Sequence, residues 1–221
     1  MTQPADSASG GGPRVIRVLV VDDHPVFRDG TAAILEREPD LAVAGVAADL
    51  EGARAILAGG PAPDVVLLDV RLGDENGLAI VGELAALSAV VVLTAYDYPQ
   101  YLHSAIRLGA AGFVGKSAPT EELLRAVRQA AGGGVAFDRR QLRREPVDLT
   151  AREVEIVRLL ADGSSNDEIG LALGITTKGV ESALGRVFAR TSTRSRTELA
   201  VRAVREAWLD APRRGPRPTG R

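Results

Sequence analysis

A buried strand that ends in a carboxylate is the feature that most constrains the fold of this 221-residue chain. Val65 to Leu68 are four consecutive apolar residues, and Asp69 follows them directly. Uninterrupted apolar runs of this length are typical of strands covered on both faces, as in parallel sheets flanked by helices. In open α/β sheets, ligand chemistry collects at the carboxyl ends of the strands. The sequence therefore places Asp69 at a candidate functional edge.

The rest of the first half repeats this alternation of apolar strands and amphipathic helices. Pro25 opens a helix in which Val26, Ile34 and Leu35 are predicted to face inward. Asp49 caps the next helix. Strands are predicted at residues 15–21, 41–47, 65–69, 90–94 and 112–115, and the later helices end near residues 86, 108 and 131. Strands that alternate with helices predict an α/β, doubly wound, five-stranded parallel sheet.

Polar residues stand at the ends of four of these strands. They are Asp22 and Asp23 after the first, Asp69 after the third, Thr94 after the fourth and Lys116 after the fifth. A right-handed parallel sheet brings these ends to one edge, where three carboxylates repel each other unless a cation such as Mg²⁺ compensates them. A lysine and a hydroxyl suit phosphoryl oxygens. A lone acidic strand end is more often a loop residue or helix cap, but the ordered set indicates an aspartate that accepts a phosphoryl group.

The second half contains helices only, and three capping boxes mark where they begin. The boxes pair Thr150 with Glu153, Ser165 with Glu168 and Ser195 with Glu198. Between the last two, Thr176 caps a helix that follows a short helix and a Gly-Ile turn, which is the order of a helix-turn-helix. This half is therefore predicted to be a small all-α helix-turn-helix domain.

Composition and charge exclude several other classes. The chain has no cysteine, which excludes disulfides and thiolate metal sites and favours a cytoplasmic location. Its net charge of −2 gives no chain-wide attraction to nucleic acid. No apolar run is long enough to span a bilayer, so no membrane partner is predicted. The predicted divisions are a disordered N-terminus at 1–14, a first domain at 15–132, a linker at 133–148, a helical domain at 149–210 and a basic disordered tail at 211–221.

Four strings on the predicted strand ends form a specific set. They are Val20-Val21-Asp22-Asp23-His24, Leu67-Leu68-Asp69, Leu93-Thr94-Ala95 and Gly115-Lys116. Together they resemble the receiver domain of bacterial response regulators, which implies a flavodoxin-like fold with Asp69 as the phospho-acceptor. The resemblance further implies that Mg²⁺ binds Asp22, Asp23, Asp69 and the backbone carbonyl of Arg71, that Lys116 and Thr94 contact the phosphoryl group, and that Thr94 and Phe113 form the switch. Leu72-Gly73 replace the family's usual Met-Pro, which predicts a looser loop. Neither His24 nor His103 is given a catalytic role.

A second set of strings lies in the helical half. It comprises Leu149-Thr150, Arg152-Glu153, Ser165-Asn166, Glu168-Ile169, Leu173-Gly174-Ile175 and residues 194–198. This set resembles the LuxR-type output domain, and a receiver followed by that domain is typical of the NarL/FixJ family of transcriptional regulators. The resemblance implies a recognition helix at 177–190 that contacts DNA through Thr177, Lys178, Glu181, Ser182, Arg186 and Arg190. It also implies a dimer contact on the last helix through Leu199, Ala203, Val204, Ala207 and Trp208, although Trp208 could equally lie in the domain core.

The leading interpretation is a two-component response regulator that is not a turnover enzyme. A cognate histidine kinase would phosphorylate Asp69, and phosphorylation would control homodimerisation and binding to promoter DNA. An alternative, an aspartyl-phosphate phosphatase or phosphotransferase, is disfavoured because such enzymes commonly carry a second aspartate two positions on, where this chain has Arg71. Another alternative, a divergent helical domain that binds a protein partner, is motivated by Glu181 and Asp167.

Three residues of the recognition region depart from the family pattern. Glu181 repels DNA phosphates, although a glutamate can accept a hydrogen bond from cytosine N4 in the major groove. Asp167 replaces a usual basic residue, and Gly179 costs its helix up to about 1 kcal/mol. We therefore expect DNA binding that is weak, sensitive to salt and strongly dependent on dimerisation.

Overall fold

The computed structural model of the protein describes residues 14–96, 98–143, 145–206 and 208–209. Apart from Arg14, the predicted disordered N-terminus at 1–14 and the predicted tail at 211–221 lie outside these residues, as does Ala207. Within the described ranges, no helix is long and apolar enough to cross a membrane.

The first part of the chain folds around a parallel sheet of five strands, which confirms the predicted fold class. They are β1 (Ile16–Val21), β2 (Leu41–Ala47), β3 (Val65–Asp69), β6 (Ala89–Thr94) and β7 (Gly112–Gly115), in the order β2-β1-β3-β6-β7. A short antiparallel pair, β4 (Arg71–Leu72) with β5 (Glu75–Asn76), forms the loop after β3. Val21 pairs with Leu68 in register, so the residues that follow β1 and β3 leave the sheet at the same edge.

Helices cover both faces of the sheet, and β3 is buried along its whole length. The helices are α1 (Pro25–Glu36), α2 (Leu50–Ala58), a 3₁₀ turn (Gly77–Ile80), α3 (Val81–Ala85), α4 (Pro99–Arg107) and α5 (Thr120–Ala131). Val66 and Leu68 lie in a core shared with α2, α3 and α4, whereas Val65 and Leu67 lie in the core covered by α1 and α5. Full burial of such a side chain contributes about 1.5–3 kcal/mol, which explains why β3 contains no polar residue before its end.

Helix α1 differs from the prediction at one inward position. Val26 is 90% exposed, while Thr31 and Leu35 are buried. The inward stripe runs through the partly buried Phe27 and the buried Thr31 and Leu35, at the four-residue spacing of one helix face. Val26 precedes Phe27 by one residue and therefore lies roughly 100° around the helix from that stripe.

The linker contains structure that the sequence analysis did not predict. Ala136 pairs with the edge of β7, since its N–H donates to Ala111 O at 2.7 Å and its carbonyl accepts from Phe113 N at 3.0 Å. A short helix, α6 (Arg139–Leu142), follows and is capped by Asp138, which accepts from Arg140 N. A four-residue helix and a single bridge are too short to produce a periodic apolar signal.

The last part of the chain is helical, as predicted. It comprises α7 (Ala151–Ala161), α8 (Asn166–Leu173), α9 (Thr177–Thr191) and α10 (Arg196–Arg205). The capping boxes at Thr150 and Ser165 are both complete. At Ser195 only half of the box forms, because Glu198 Oε2 accepts from Arg194 N instead of Ser195 N. Leu171, an apolar residue of α8, is 87% exposed.

Gly170 sets the close approach of α8 to the turn that follows it. A Cβ built at this position would lie 2.8 Å from Ile175 O, which is closer than real Cβ contacts. Gly174 then ends α8 in the left-handed conformation with a φ of 64°, which favours glycine. These two glycines allow α9 to pack against α8. The two helices and the turn between them form a helix-turn-helix.

Candidate functional site

The strand-end carboxylates meet at one edge of the sheet. One ligand atom from each of Asp22, Asp23, His24 and Asp69 lies within 4.8 Å of the others. Asp22 and Asp69 are buried, and Lys116 reaches them from the end of β7. Three separate strands therefore supply the charged groups of this acidic cluster, as the parallel topology predicts.

Lys116 bridges the two buried carboxylates. Its Nζ lies 2.6 Å from Asp22 Oδ2 and 2.6 Å from Asp69 Oδ2. It also lies 4.5 Å from the centroid of the Phe27 ring. Because the lysine side chain is only 11% exposed, these contacts are only weakly screened by water.

The aspartates have different electrostatic environments. Burial raises the pKa of Asp69 above its ordinary value, and the negative charge of Asp22 adds to this, while Lys116 opposes it. For Asp23, burial also acts to raise the pKa, but a hydrogen bond from Gly73 N–H and the neighbouring His24 outweigh it, so the pKa lies below its ordinary value. The Gly73 N–H donates to Asp23 Oδ2 at 2.8 Å, so the loop after β4 holds this carboxylate in place.

The donor set of the acidic cluster suits a hard divalent cation. Asp22 Oδ2 and Asp23 Oδ1 are buried and accept no hydrogen bond, although Lys116 and His24 lie at ion-pair distance from them. Buried carboxylate oxygens of this kind are the ligands that Mg²⁺ prefers. His24, which the sequence analysis set aside, places its Nδ1 2.6 Å from Asp23 Oδ1. The position of His24 directly after two aspartates is the sequence signal that could have predicted this contact.

The segment after Asp69 needs a glycine where the chain turns back. A Cβ at Gly77 would lie 2.0 Å from Asp69 O, a distance that no side chain tolerates. Gly77 N donates to Val70 O at 2.8 Å, and Arg71 N donates to Asp69 Oδ1 at 3.3 Å. These contacts fix the backbone around the candidate acceptor, including the residue whose carbonyl was predicted to bind Mg²⁺.

The two predicted switch residues, Thr94 and Phe113, are both buried. The Thr94 hydroxyl accepts from Tyr96 N at 3.0 Å and donates to Tyr96 O at 3.3 Å, so it is bound to the loop that leads to α4. Phe113 lies on β7, where its N–H pairs with the linker through Ala136. Thr94 thus connects the end of β6 to the loop before α4, and Phe113 connects β7 to the linker.

Helix α9 presents a mixed surface on its exposed face. Lys178, Glu181, Ser182 and Arg186 are exposed, while Val180, Ala183, Leu184 and Val187 are buried in the helical core. Thr177 Oγ1 donates to Asp167 Oδ1 at 2.5 Å, so Asp167 is engaged by the first residue of α9. The Ser182 hydroxyl donates to Lys178 O at 2.8 Å.

Arg190 binds within the helical domain. Its guanidinium donates to both carboxylate oxygens of Glu153, at 2.9 and 3.1 Å, and to the carbonyl of Asp148. Arg186 Nε lies 3.8 Å from Glu153 Oε1. For Glu153, burial acts to raise the pKa, but the Thr150 N–H and Arg190 lower it below its ordinary value overall. The sequence analysis identified Glu153 as a capping residue and missed its ion pair with α9.

The predicted dimer contact on α10 requires correction. Leu199 and Ala203 have no exposed surface, and Trp208 is 3% exposed, because all three lie in the core of the helical domain. Side chains that are buried in this way have no surface to offer a second copy. Val204, which belongs to the same predicted contact, is 58% exposed, and Val201 on the same helix is 55% exposed.

Comparison with known proteins finds a family match in each part of the chain. The family model for the response regulator receiver domain matches residues 18–128, and the model for bacterial regulatory proteins of the luxR family matches residues 147–203. The transcriptional regulatory protein LiaR of Bacillus subtilis is 33% identical over 208 residues, which cover 86% of this chain and 98% of LiaR. MctR of Rhizobium johnstonii, also a transcriptional regulatory protein, is 37% identical over 183 residues, covering 76% of this chain and 83% of MctR.

A solved structure shares the fold along most of the chain. RcsB from Salmonella enterica serovar Typhimurium, determined bound to the promoter rprA, has a TM-score of 0.66 and 21% identity, covering 89% of this chain and 98% of RcsB. At this identity the likeness concerns the fold alone. The two family matches and the relatives above 30% identity establish that this chain belongs to the response regulators that join a receiver domain to a LuxR-type helix-turn-helix domain.

Proposed function

We propose that Asp69 accepts a phosphoryl group from a histidine kinase, and that this controls homodimerisation and promoter binding through α9. The observation that carries the proposal is the position of Lys116 Nζ, 2.6 Å from both Asp69 and Asp22 at the edge where three strands end. A cation in that position can bind the oxygens of a phosphoryl group attached to Asp69.

In the transfer step, a carboxylate oxygen of Asp69 attacks the phosphorus of the kinase phosphohistidine. The phosphorus–nitrogen bond breaks, and the leaving imidazole nitrogen keeps the bonding electron pair. Asp22, Asp23, Asp69 and the Arg71 carbonyl would hold Mg²⁺, which when bound neutralises the charge that the carboxylates and phosphoryl oxygens share. Lys116 holds the transferred phosphoryl oxygens, and Thr94 supplies a hydroxyl to them. No turnover beyond acceptance and slow loss of this group is proposed.

Substitution of the acceptor tests this step. We expect the intact protein, incubated with Mg²⁺ and a small phosphoryl donor, to gain the mass of one phosphoryl group, and Asp69→Asn to gain none. Asp29→Asn removes an exposed carboxylate from α1 and serves as the matched control, with labelling equal to the unmodified protein. Undiminished labelling of Asp69→Asn would overturn the acceptor assignment. Sedimentation and DNA mobility shift on the same samples, with and without the donor, measure whether phosphorylation produces the dimer and promotes DNA binding.

A second candidate function is that the helical domain binds a protein partner. It is favoured by the exposed carboxylate of Glu181 on α9 and by Asp167 at the start of α8. The two candidates differ in the mobility-shift experiment, because a protein-binding domain would leave DNA unshifted even when the protein is fully phosphorylated.

A further inference from the structure

Phe27 lies against the lysine of the candidate site and has no role in the proposal above. Lys116 Nζ is 4.5 Å from the centroid of the Phe27 ring, within the range in which an aromatic face attracts a cation. The same ammonium lies 2.6 Å from a carboxylate oxygen of Asp22 and of Asp69. Lys116 is therefore in contact with two buried carboxylates and one aromatic ring.

The first turn of α1 fixes the ring beside the acidic cluster. His24 N donates to Asp22 Oδ1 at 2.9 Å, and the His24 carbonyl accepts from Phe27 N at 3.1 Å. Arg28 Nη1 donates to Asp22 O at 3.2 Å. The start of α1 is thus tied by hydrogen bonds to the strand end that carries Asp22, so the position of Phe27 follows from that of the carboxylates.

An apolar cleft lies next to this contact. It has a volume of about 170 Å³, and both Phe27 and Lys116 line it. The other lining residues include Val26, Gly30 and Leu123, and Val26 is largely exposed, so the cleft is open to solvent. A lysine has a flexible four-carbon stem, and its ammonium is strongly hydrated. Without an attractive surface at Phe27, the ammonium would gain conformations that point into this cleft and away from Asp69.

We infer that Phe27 is a positioning residue for phosphoryl transfer: its ring face holds the Lys116 ammonium beside Asp69, where the phosphoryl oxygens bind. The inference rests on the proposed function, since it concerns how the same site binds a phosphoryl group. It predicts that the electrostatic character of the ring matters, and not only its volume, because an aliphatic side chain of similar size provides packing without the negative ring face.

The test measures the affinity of the full-length protein for beryllofluoride, a non-covalent mimic of the phosphoryl group, in the presence of Mg²⁺. The variants are Phe27→Leu, Phe27→Tyr and the protein with pentafluorophenylalanine at position 27, which keeps the ring shape but reverses the charge distribution of its face. We expect Phe27→Tyr to bind within about twofold of the unmodified protein. Phe27→Leu and the fluorinated ring should bind about 3- to 10-fold more weakly, which corresponds to about 0.6–1.4 kcal/mol.

Each outcome bears on one proposal or the other. If all three variants bind beryllofluoride as tightly as the unmodified protein, the inference about Phe27 is wrong while the acceptor site stands. If Phe27→Leu binds weakly but the fluorinated ring binds normally, Phe27 acts by packing and the inference is again wrong. If the unmodified protein binds no beryllofluoride, the proposed function fails and this inference fails with it. Thermal unfolding of each variant identifies any loss of affinity that comes from a destabilised fold.

Discussion

Two arginines of the helical domain, Arg190 and Arg196, bind oxygen atoms of the same domain. Arg190 was predicted to contact DNA, yet its guanidinium is occupied by Glu153 and the Asp148 carbonyl. Arg196 binds Asn166 Oδ1 and the carbonyl of Ser164 in a similar way. Lys178 and Arg186 are the predicted contacts of α9 that keep an exposed cationic group. This strengthens the expectation that each copy attracts DNA phosphates only weakly.

The ion pair of Glu153 predicts a pH-dependent stability. The folded-state pKa of Glu153 lies below its ordinary value of 4.5, so the stabilisation is fully present above that value and is lost as pH falls through the folded pKa. We expect Glu153→Gln to lower the free energy of unfolding of the helical domain by about 1.5–3 kcal/mol at pH 7, because it removes hydrogen bonds to a charged group. At pH values below the folded pKa, the variant and the unmodified protein should converge.

Trp208 provides the measurement for this prediction, since it is the only tryptophan of the chain and lies in the helical core. Its fluorescence in denaturant titrations at several pH values reports the stability of this domain. Glu155→Gln is the matched control, because that carboxylate pairs with Arg152 at the exposed surface of the same helix and should contribute less than about 1 kcal/mol. A Glu153→Gln effect of equal size at pH 7 and at pH 3 would contradict the assigned cause.

At the scale of elements, strands and capped helices could be predicted from the sequence because their signals are local. The run from Val65 to Leu68 defines β3, and Thr150 and Ser165 define the starts of α7 and α8. The face of α1 was assigned wrongly at Val26, since Val26 and Phe27 are adjacent apolar residues and only one of them can lie on the face that packs against the sheet. The position of the Glu198 side chain could not be predicted, because two backbone N–H groups compete for it within one turn.

Glu181 gives α9 a predicted preference among DNA sequences. It is exposed on the same face as Lys178 and Ser182, and among the described residues it forms no ion pair. A glutamate in the major groove accepts a hydrogen bond from cytosine N4, whereas a glutamine binds adenine through N6 and N7. We expect Glu181→Gln to replace a cytosine preference by adenine at one position of each half-site. Loss of the negative charge should also raise affinity for all duplexes.

Selection of binding sites from a randomised duplex library, with the phosphorylated protein, measures both effects. Glu121→Gln on α5 removes an exposed carboxylate from the receiver and should leave the selected sequence unchanged. Identical selected sequences for Glu181→Gln and the unmodified protein would mean that Glu181 does not contact a base.

At the scale of the whole molecule, the receiver contacts the helical domain through Gln100 of α4. Gln100 is 6% exposed, and when its amide is oriented to suit the two neighbouring donors, its oxygen accepts from Trp208 Nε1 at 2.9 Å and from Val147 N at 3.2 Å. No sequence pattern predicts this contact, since a single glutamine on an amphipathic helix carries no sign of a partner more than a hundred residues away. The loop bound by Thr94 leads directly into α4, and Phe113 pairs with the linker. Thr94 therefore binds the loop before the helix that contacts the helical domain, and Phe113 pairs with the linker that leads to that domain.

Loss of the Gln100 contact is predicted to release the helical domain without phosphorylation. In Gln100→Ala, both hydrogen bonds to Trp208 and Val147 disappear, and each is expected to contribute about 0.5–1.5 kcal/mol. Because this contact is expected to hold the inactive arrangement, the equilibrium shifts by about 5- to 150-fold towards the released state. Mobility shift of promoter DNA with the unphosphorylated variant should then approach that of the phosphorylated, unmodified protein. Ile106→Ala, at a more exposed position of the same helix, should still require phosphorylation. If unphosphorylated Gln100→Ala binds DNA no better than the unmodified protein, the contact at α4 does not restrain the helical domain.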